Sequence, residues 1–258
     1  MRESWVIVER ELLALLRTNR ALGILLFVAI GFAAVVLLKW PTDSIVALSG
    51  SQPRQVFQGL AYAMLTTAVL VVPVFPATSL VREIRKKTLQ LLLHSPLKRT
   101  SIYLGKLGAM FGFILLLMFA TLPALVCCYA MGGISFGGDV LKLYVFLIIV
   151  CLQLAVVGLL VGTYARTPEA ALRWGYGLTF LVVVVPVIPD LFLRGSDTAL
   201  AEGASLLKAI SPIPALLQRV QQDSIGGTGL IESRNLVTWY LVIAIAFIIL
   251  GSLWCIRR

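Results

Sequence analysis

Six apolar stretches punctuate this chain, at residues 21–38, 56–81, 107–131, 143–164, 174–193 and 236–256, and each is long enough to cross a membrane as a helix. About 20 predominantly apolar residues span the roughly 30 Å hydrocarbon layer. The balance of the sequence leaves no soluble alternative: 59% of residues are hydrophobic and 13% charged, against about 45–50% and about 25% in a water-soluble domain. The expectation is an all-α membrane protein with six transmembrane helices in a single transmembrane domain covering residues 1–258. Twenty residues of mixed charge precede the first stretch and no small-residue cleavage site follows it, so it reads as a span and not as a signal peptide.

With six spans both termini share a side, and the charges say which. On the terminal side lie fifteen basic residues, among them Arg10, Arg17, Arg85, Lys87, Arg99, Lys106, Arg166, Arg173 and Arg257, against five acids. The opposite side balances seven basic residues against seven acids. The whole net charge of +10 therefore sits on one face, which the positive-inside rule assigns to the cytoplasm. The protein is expected in the plasma (inner) membrane, multi-pass, with both termini cytoplasmic.

The spans hold almost no ionisable groups; Asp190 lies at the outer edge of the fifth. Ion-coupled transporters need charged or titratable side chains at membrane depth, so any transport here draws its energy from elsewhere. Gln58 and Gln153 read as helix-contact residues. The four cysteines fall in apolar runs and read as reduced, buried thiols. His94 is the sole histidine and reads as a helix-end or interface residue; neither it nor the cysteines offer a metal cage, and no metal is expected. No phosphate loop is present, since Gly105-Lys106 is followed by Leu107 and lacks the upstream glycine. Motifs of serine hydrolases and zinc proteases are also missing, so no catalytic residue is assigned. Basic residues without interleaved aromatics argue against nucleic acid as a partner.

Outside the spans, residues 1–20 predict an amphipathic interfacial helix, with Trp5, Val8, Leu12, Leu15 and Leu16 at helical spacing. The loop after the second span begins with Arg82, Glu83, Arg85, Lys86 and Lys87, becomes apolar at Leu89, Leu91, Leu92 and Leu93, and stops at Ser95-Pro96. Leucines rimmed by basic residues suit either a docking helix for a cytoplasmic partner or an interfacial helix on anionic lipid. Residues 194–235 form a long outer segment with two short helix candidates within 199–223. In the second, Ser211 is the N-cap and Pro212 the first helical residue, followed by Ile213, Leu216, Leu217 and Val220. Pro73 and Pro76 in the second span and Pro186 and Pro189 in the fifth each remove a helical hydrogen bond, marking either hinges or static bends.

The loop resembles that of ABC-2 permeases, the transmembrane subunits of one class of ATP-binding-cassette exporters. Their pattern of an acid, basic residues, Gly-Thr, Leu, an acid, Leu-Leu, Pro and Leu-Gly-Lys is similar to Glu83, Arg85, Lys87-Thr88, Leu89, Gln90, Leu91-Leu92, Pro96 and Leu104-Gly105-Lys106. Lys87 replaces the usual glycine and Gln90 the second acid. The resemblance implies a cytoplasmic coupling helix at 82–99, outer re-entrant helices at 199–223 and an ABC-2 (type V exporter-like) fold. It implies ATPase coupling through Glu83, Arg85, Lys87, Thr88, Leu89, Leu92, His94 and Pro96, and a path lined by spans one, two and five with Pro73, Pro76, Pro186 and Pro189 as its hinges. ATP and Mg would sit on a partner ATPase, with no cofactor in this chain. A second permease copy or a paralogue, the lipid bilayer and an accessory extracytoplasmic protein complete the implied partners. The competing reading is a non-transporting scaffold that anchors a cytoplasmic complex through the same loop.

Overall fold

The computed structural model describes residues 2–17, 19–38, 51–85, 99–130, 134–193, 203, 206–220 and 236–257, and every regular element among them is helical. In chain order these are α1 Arg2–Leu16, α2 Asn19–Leu38, α3 Ser51–Val71, α4 Val74–Arg85, α5 Arg99–Ala130, α6 Leu141–Tyr164, α7 Pro168–Val183, α8 Ile188–Phe192, α9 Pro212–Val220 and α10 Leu236–Arg257. Six helical stretches among the described residues are long and apolar enough to span a bilayer: Ala21–Leu38, Arg54–Arg85, Thr100–Ala130, Phe136–Tyr164, Pro168–Phe192 and Leu236–Arg257. The all-α, six-span architecture is the one the hydropathy predicts. Two compact units emerge, Met1–Ala68 with Leu97–Ile148, and Val69–Pro96 with Ile149–Arg258.

In the first unit, α5 runs 32 residues, about 48 Å at 1.5 Å per residue, and so outreaches the hydrocarbon layer. It begins at Arg99, ahead of the span expected from residue 107, because hydropathy marks only the embedded part while the helical hydrogen-bond ladder continues into polar sequence. That extension receives α1. Leu15 is buried and Val8, Leu12 and Leu16 are half-buried, while Glu9, Arg10 and Leu13 face outward, in the pattern expected from the sequence. The face rests on α5: a Cβ placed on Gly108 would lie 2.8 Å from Val8 Cγ2, and one on Gly112 3.1 Å from Leu12 Cδ2. α1 therefore rests on a bed of two glycines of α5. At its edge Glu11 Oε1 lies 3.7 Å from the ammonium of Lys106, which is buried in α5.

α2 buries Ala21, Val28, Phe32 and Val36 and exposes Leu26, Phe27, Ile30 and Leu37, a narrow packed stripe on a helix apolar all round. Farther along, the Thr121 hydroxyl donates to Met118 O at 2.7 Å and lies 2.9 Å from Tyr144 Oη of α6. A π-helical turn at Phe136–Val140 precedes α6, and the Asp139 carboxylate accepts from both the backbone N–H and the hydroxyl of Ser135.

In the second unit, α6 is the most buried span. Gly158 and Gly162, one turn apart, receive α4: an added Cβ at Gly158 would lie 2.5 Å from Pro73 O and 2.6 Å from Pro76 Cγ, and one at Gly162 3.1 Å from Leu80 Cβ. Small residues at i and i+4 let helix backbones approach closely where no hydrophobic force separates helix from lipid. α10 uses the same device, its Gly251 facing Val156 and Leu160. Deeper between the two, the Tyr240 hydroxyl donates to Gln153 Oε1 at 2.6 Å, both side chains buried, which bears out Gln153 as a helix-contact residue. The second face of α4, Ala77 and Val81, packs on Ala171 of α7.

The cysteines are free thiols. Cys128 and Cys151 are buried as expected, whereas Cys127 is exposed; adjacent helical residues point about 100° apart, so an apolar run does not bury both.

Candidate functional site

The second span is broken. α3 ends at Val71 and α4 begins at Val74, with Pro73 in the break and Pro76 in the first turn beyond it. Neither proline has an N–H, so Val69 O and Val72 O in the preceding turn lose their helical donors. The Tyr176 hydroxyl of α7 donates to one carbonyl of that turn, Leu70 O, at 2.9 Å. Pro73 and Pro76 are both buried, wedged on Gly158. Beyond the break α4 is a helix of 12 residues, its Thr78 hydroxyl donating back to Val74 O at 2.8 Å and its Arg82 Nε to Thr78 O at 3.2 Å.

The far end of α4 carries the first two residues of the expected coupling set. Glu83 is half-buried and Arg85 exposed. Both belong to the helix that continues from the span, so the expected coupling segment starts without an intervening turn. Lys87, Thr88, Leu89, Leu92, His94 and Pro96 lie outside the described residues, which resume at Arg99 with α5. The segment is thus bounded by α4, held on the α6 glycines, and by α5, which carries α1.

The fifth span is broken toward its C-terminal end. α7, N-capped by the Thr167 hydroxyl that accepts from Ala170 N–H at 3.2 Å, ends at Val183; a 3-10 turn at Val185–Val187 contains Pro186, and α8 contains Pro189. The change of pitch moves the Val187 N–H onto Val184 O, leaving Val183 O without its helical donor. The Ser211 hydroxyl takes that place, donating to Val183 O at 2.5 Å. Ser211 Oγ in turn accepts from Ile213 N–H at 3.2 Å, so Ser211 is the N-cap of α9 as the sequence predicts and also ties α9 to the break. A second tie is ionic, Lys208 Nζ to Asp190 Oδ2 at 2.8 Å. α9 differs from expectation in its buried face: Pro212, Pro214, Ala215 and Leu216 are buried and Leu217 is exposed. Two prolines that the apolar periodicity did not count as packing residues turn the helix toward them. Of residues 199–223, expected to form outer re-entrant helices, 203 and 206–220 are described.

Several positions that shape this machinery escape a reading by motif. The beds of α1 and α4 are two Gly-x-x-x-Gly pairs, Gly108 with Gly112 and Gly158 with Gly162, a pattern that signals close helix approach in apolar sequence. Tyr176 and Lys208 carry no local signal, since their partners, Leu70 and Asp190, lie far from them in the chain. Among the described residues no cluster of His, Cys, Asp and Glu is suited to a metal.

No curated protein matches the sequence. The family model described as "ABC-2 family transporter protein" matches residues 10–188. The chain belongs to the ABC-2 transporter family. The match runs from α1 through the first five spans to the break of the fifth, and so contains both proline breaks and the glycine beds. As a member of that family the permease is a multi-pass membrane transport subunit and not itself a catalyst, and the family implies a partner ATPase and a lipid bilayer. An ABC exporter's membrane half needs no charge buried at mid-membrane to harvest an ion gradient.

Proposed function

We propose that the permease forms the translocation path of an ATP-driven exporter and receives its driving force through residues 82–99 from a separate cytoplasmic ATPase, which holds ATP and Mg. The observation that carries this reading is α4. It is a short helix released from α3 by the Pro73 break, seated on Gly158 and Gly162, and ending in Glu83 and Arg85 where the leucine-rich segment begins. Force on that segment acts on a lever with a break behind it. On its other side the segment leads into α5, so the same displacement reaches α1 through Gly108 and Gly112.

In this mechanism Lys87, Thr88, Leu89, Leu92, His94 and Pro96 meet the ATPase, apolar burial supplying adhesion and the basic rim orientation. Pro73 and Pro76 absorb the bend in span two, Pro186 and Pro189 that in span five. The ties from Ser211 to Val183 O and from Lys208 to Asp190 hold the outer helices over the break in the resting state. A second permease copy or a paralogue completes the path, and an accessory extracytoplasmic protein meets the outer segment. The one-sided net charge of +10 supports cytoplasmic termini in the plasma (inner) membrane.

The test is purification of the tagged chain from its native membrane in mild detergent, with mass spectrometry of what accompanies it and an ATPase assay. The wild type is expected to bring a P-loop ATPase whose association or hydrolysis is lost in Leu92→Asp. An intact permease that neither brings nor binds any ATPase of that membrane overturns the coupling role and makes the chain a scaffold.

A further inference from the structure

The second unit contains one feature that export coupling does not use. At the end of the bundle that bears the C-terminus, α6, α7 and α10 diverge around an open groove of about 770 Å³, within the roughly 300–1,000 Å³ of small-molecule sites. Its walls are apolar, including Leu160, Val161 and Leu178. Trp174 and Trp254 stand at its mouth, 71% and 58% exposed, and Trp254 Nε1 donates to Tyr164 Oη at 2.8 Å, which holds that indole upright at the rim. Half-exposed tryptophans with a polar handle belong at headgroup level.

The rim is basic. Arg166 lines the groove in the bend between α6 and α7. Arg173 adjoins Trp174, and Arg257 follows Trp254 by about one turn; both are exposed. Glu169 lies 3.8 Å from Arg173 and is exposed, one acid against the three arginines of this rim over an apolar slot. We propose that this groove binds one anionic phospholipid of the adjoining leaflet, an acyl chain along Leu160 and Leu178 and the phosphate at Arg166. A second copy of the chain is the poorer occupant: a two-fold interface sets each patch against its own image, which would bring Arg166, Arg173 and Arg257 against arginines. A zwitterionic lipid would fill the slot but leave the charge of the rim unanswered. The inference depends on this unit alone and on neither the orientation in the membrane nor the ATPase, so it stands or falls apart from the coupling reading.

The test is native mass spectrometry of the full-length permease, delipidated in mild detergent and titrated separately with dioleoyl phosphatidylglycerol and dioleoyl phosphatidylethanolamine. One phosphatidylglycerol is expected to be retained where phosphatidylethanolamine is not. Arg166→Gln should weaken that retention about fivefold, the worth of one basic residue at an anionic surface, and Glu169→Gln should strengthen it. Ala170→Trp, which fills the slot while keeping every arginine, should abolish it; a monodisperse gel-filtration peak and unchanged circular dichroism qualify each variant. Equal retention of the two lipids, no retention of either, or unaltered phosphatidylglycerol binding in Arg166→Gln overturns the proposal. So does a Trp174→Cys variant that forms a disulfide-linked dimer and excludes the lipid.

Discussion

The close seat of α4 on α6 makes Gly158→Ala a decisive substitution. In an ordinary helix this change is favourable by about 1 kcal/mol, because alanine loses less conformational freedom on ordering. At Gly158 the new methyl would lie 2.5 Å from Pro73 O and 2.6 Å from Pro76 Cγ. The first is backbone and the second part of a closed ring, so neither moves aside by a rotamer change, and α4 must lift from its bed. Overpacking of this kind costs about 1–3 kcal/mol, and the rigidity of both neighbours places the cost in the upper half of that range. Set against the gain in propensity, the net is a destabilisation of about 1–2 kcal/mol. At roughly 2–4 °C per kcal/mol for a chain of this size, the midpoint of thermal unfolding in detergent should fall by several degrees. Gly177→Ala is the internal control, since no atom lies within 4 Å of its added methyl, and it should hold or raise the midpoint. Gly251→Ala should fall between, its closest contact being the end of the Val156 side chain at 2.7 Å. The assay is fluorescence-detected gel filtration after heating, all three variants in one detergent. Equal midpoints for Gly158→Ala and Gly177→Ala would refute the idea that the glycine pair is a bed for the lever.

Three other substitutions probe the remaining ties. Ser211→Ala removes both the cap of α9 and the donor to Val183 O and should cost about 1–2 kcal/mol; hydrogen exchange should rise in α9 and at the end of α7 while α6 is unchanged. Glu11→Gln leaves the buried Lys106 ammonium without the carboxylate 3.7 Å away and should destabilise by about 1–2 kcal/mol, less than a fully buried pair because Glu11 is partly exposed. The double variant with Lys106→Met should recover much of the loss in the same melting assay, and a double variant worse than either single change would refute the pairing. Tyr240→Phe removes the donor to Gln153 and should cost about 0.6 kcal/mol, with a ceiling of about 1.7, measured by unfolding in mixed micelles.

What the sequence determined alone is what depends on residues near one another in the chain. Span count follows from apolar length, and the interfacial face of α1 from its 3.6-residue period. The cap at Ser211 follows from Ser-Pro ahead of a helical run, and family membership was legible in the ordered pattern from Glu83 to Lys106. Tertiary structure decided which faces meet. In water a helix marks its buried face by hydrophobic contrast, but a span in lipid is apolar all round; α6 and α10 carry no stripe from which Gly158 and Gly251 could be read as contacts. The α9 face was misread for a related reason, since its packing residues include prolines that a hydrophobic period omits. Tyr176 meets Leu70 O across 106 residues, and Ser211 meets Val183 O across 28. Each pairing lies beside a proline break, where a disturbed helix leaves carbonyls in need of donors that a distant part of the chain can supply. That demand is created by the sequence and met only in three dimensions.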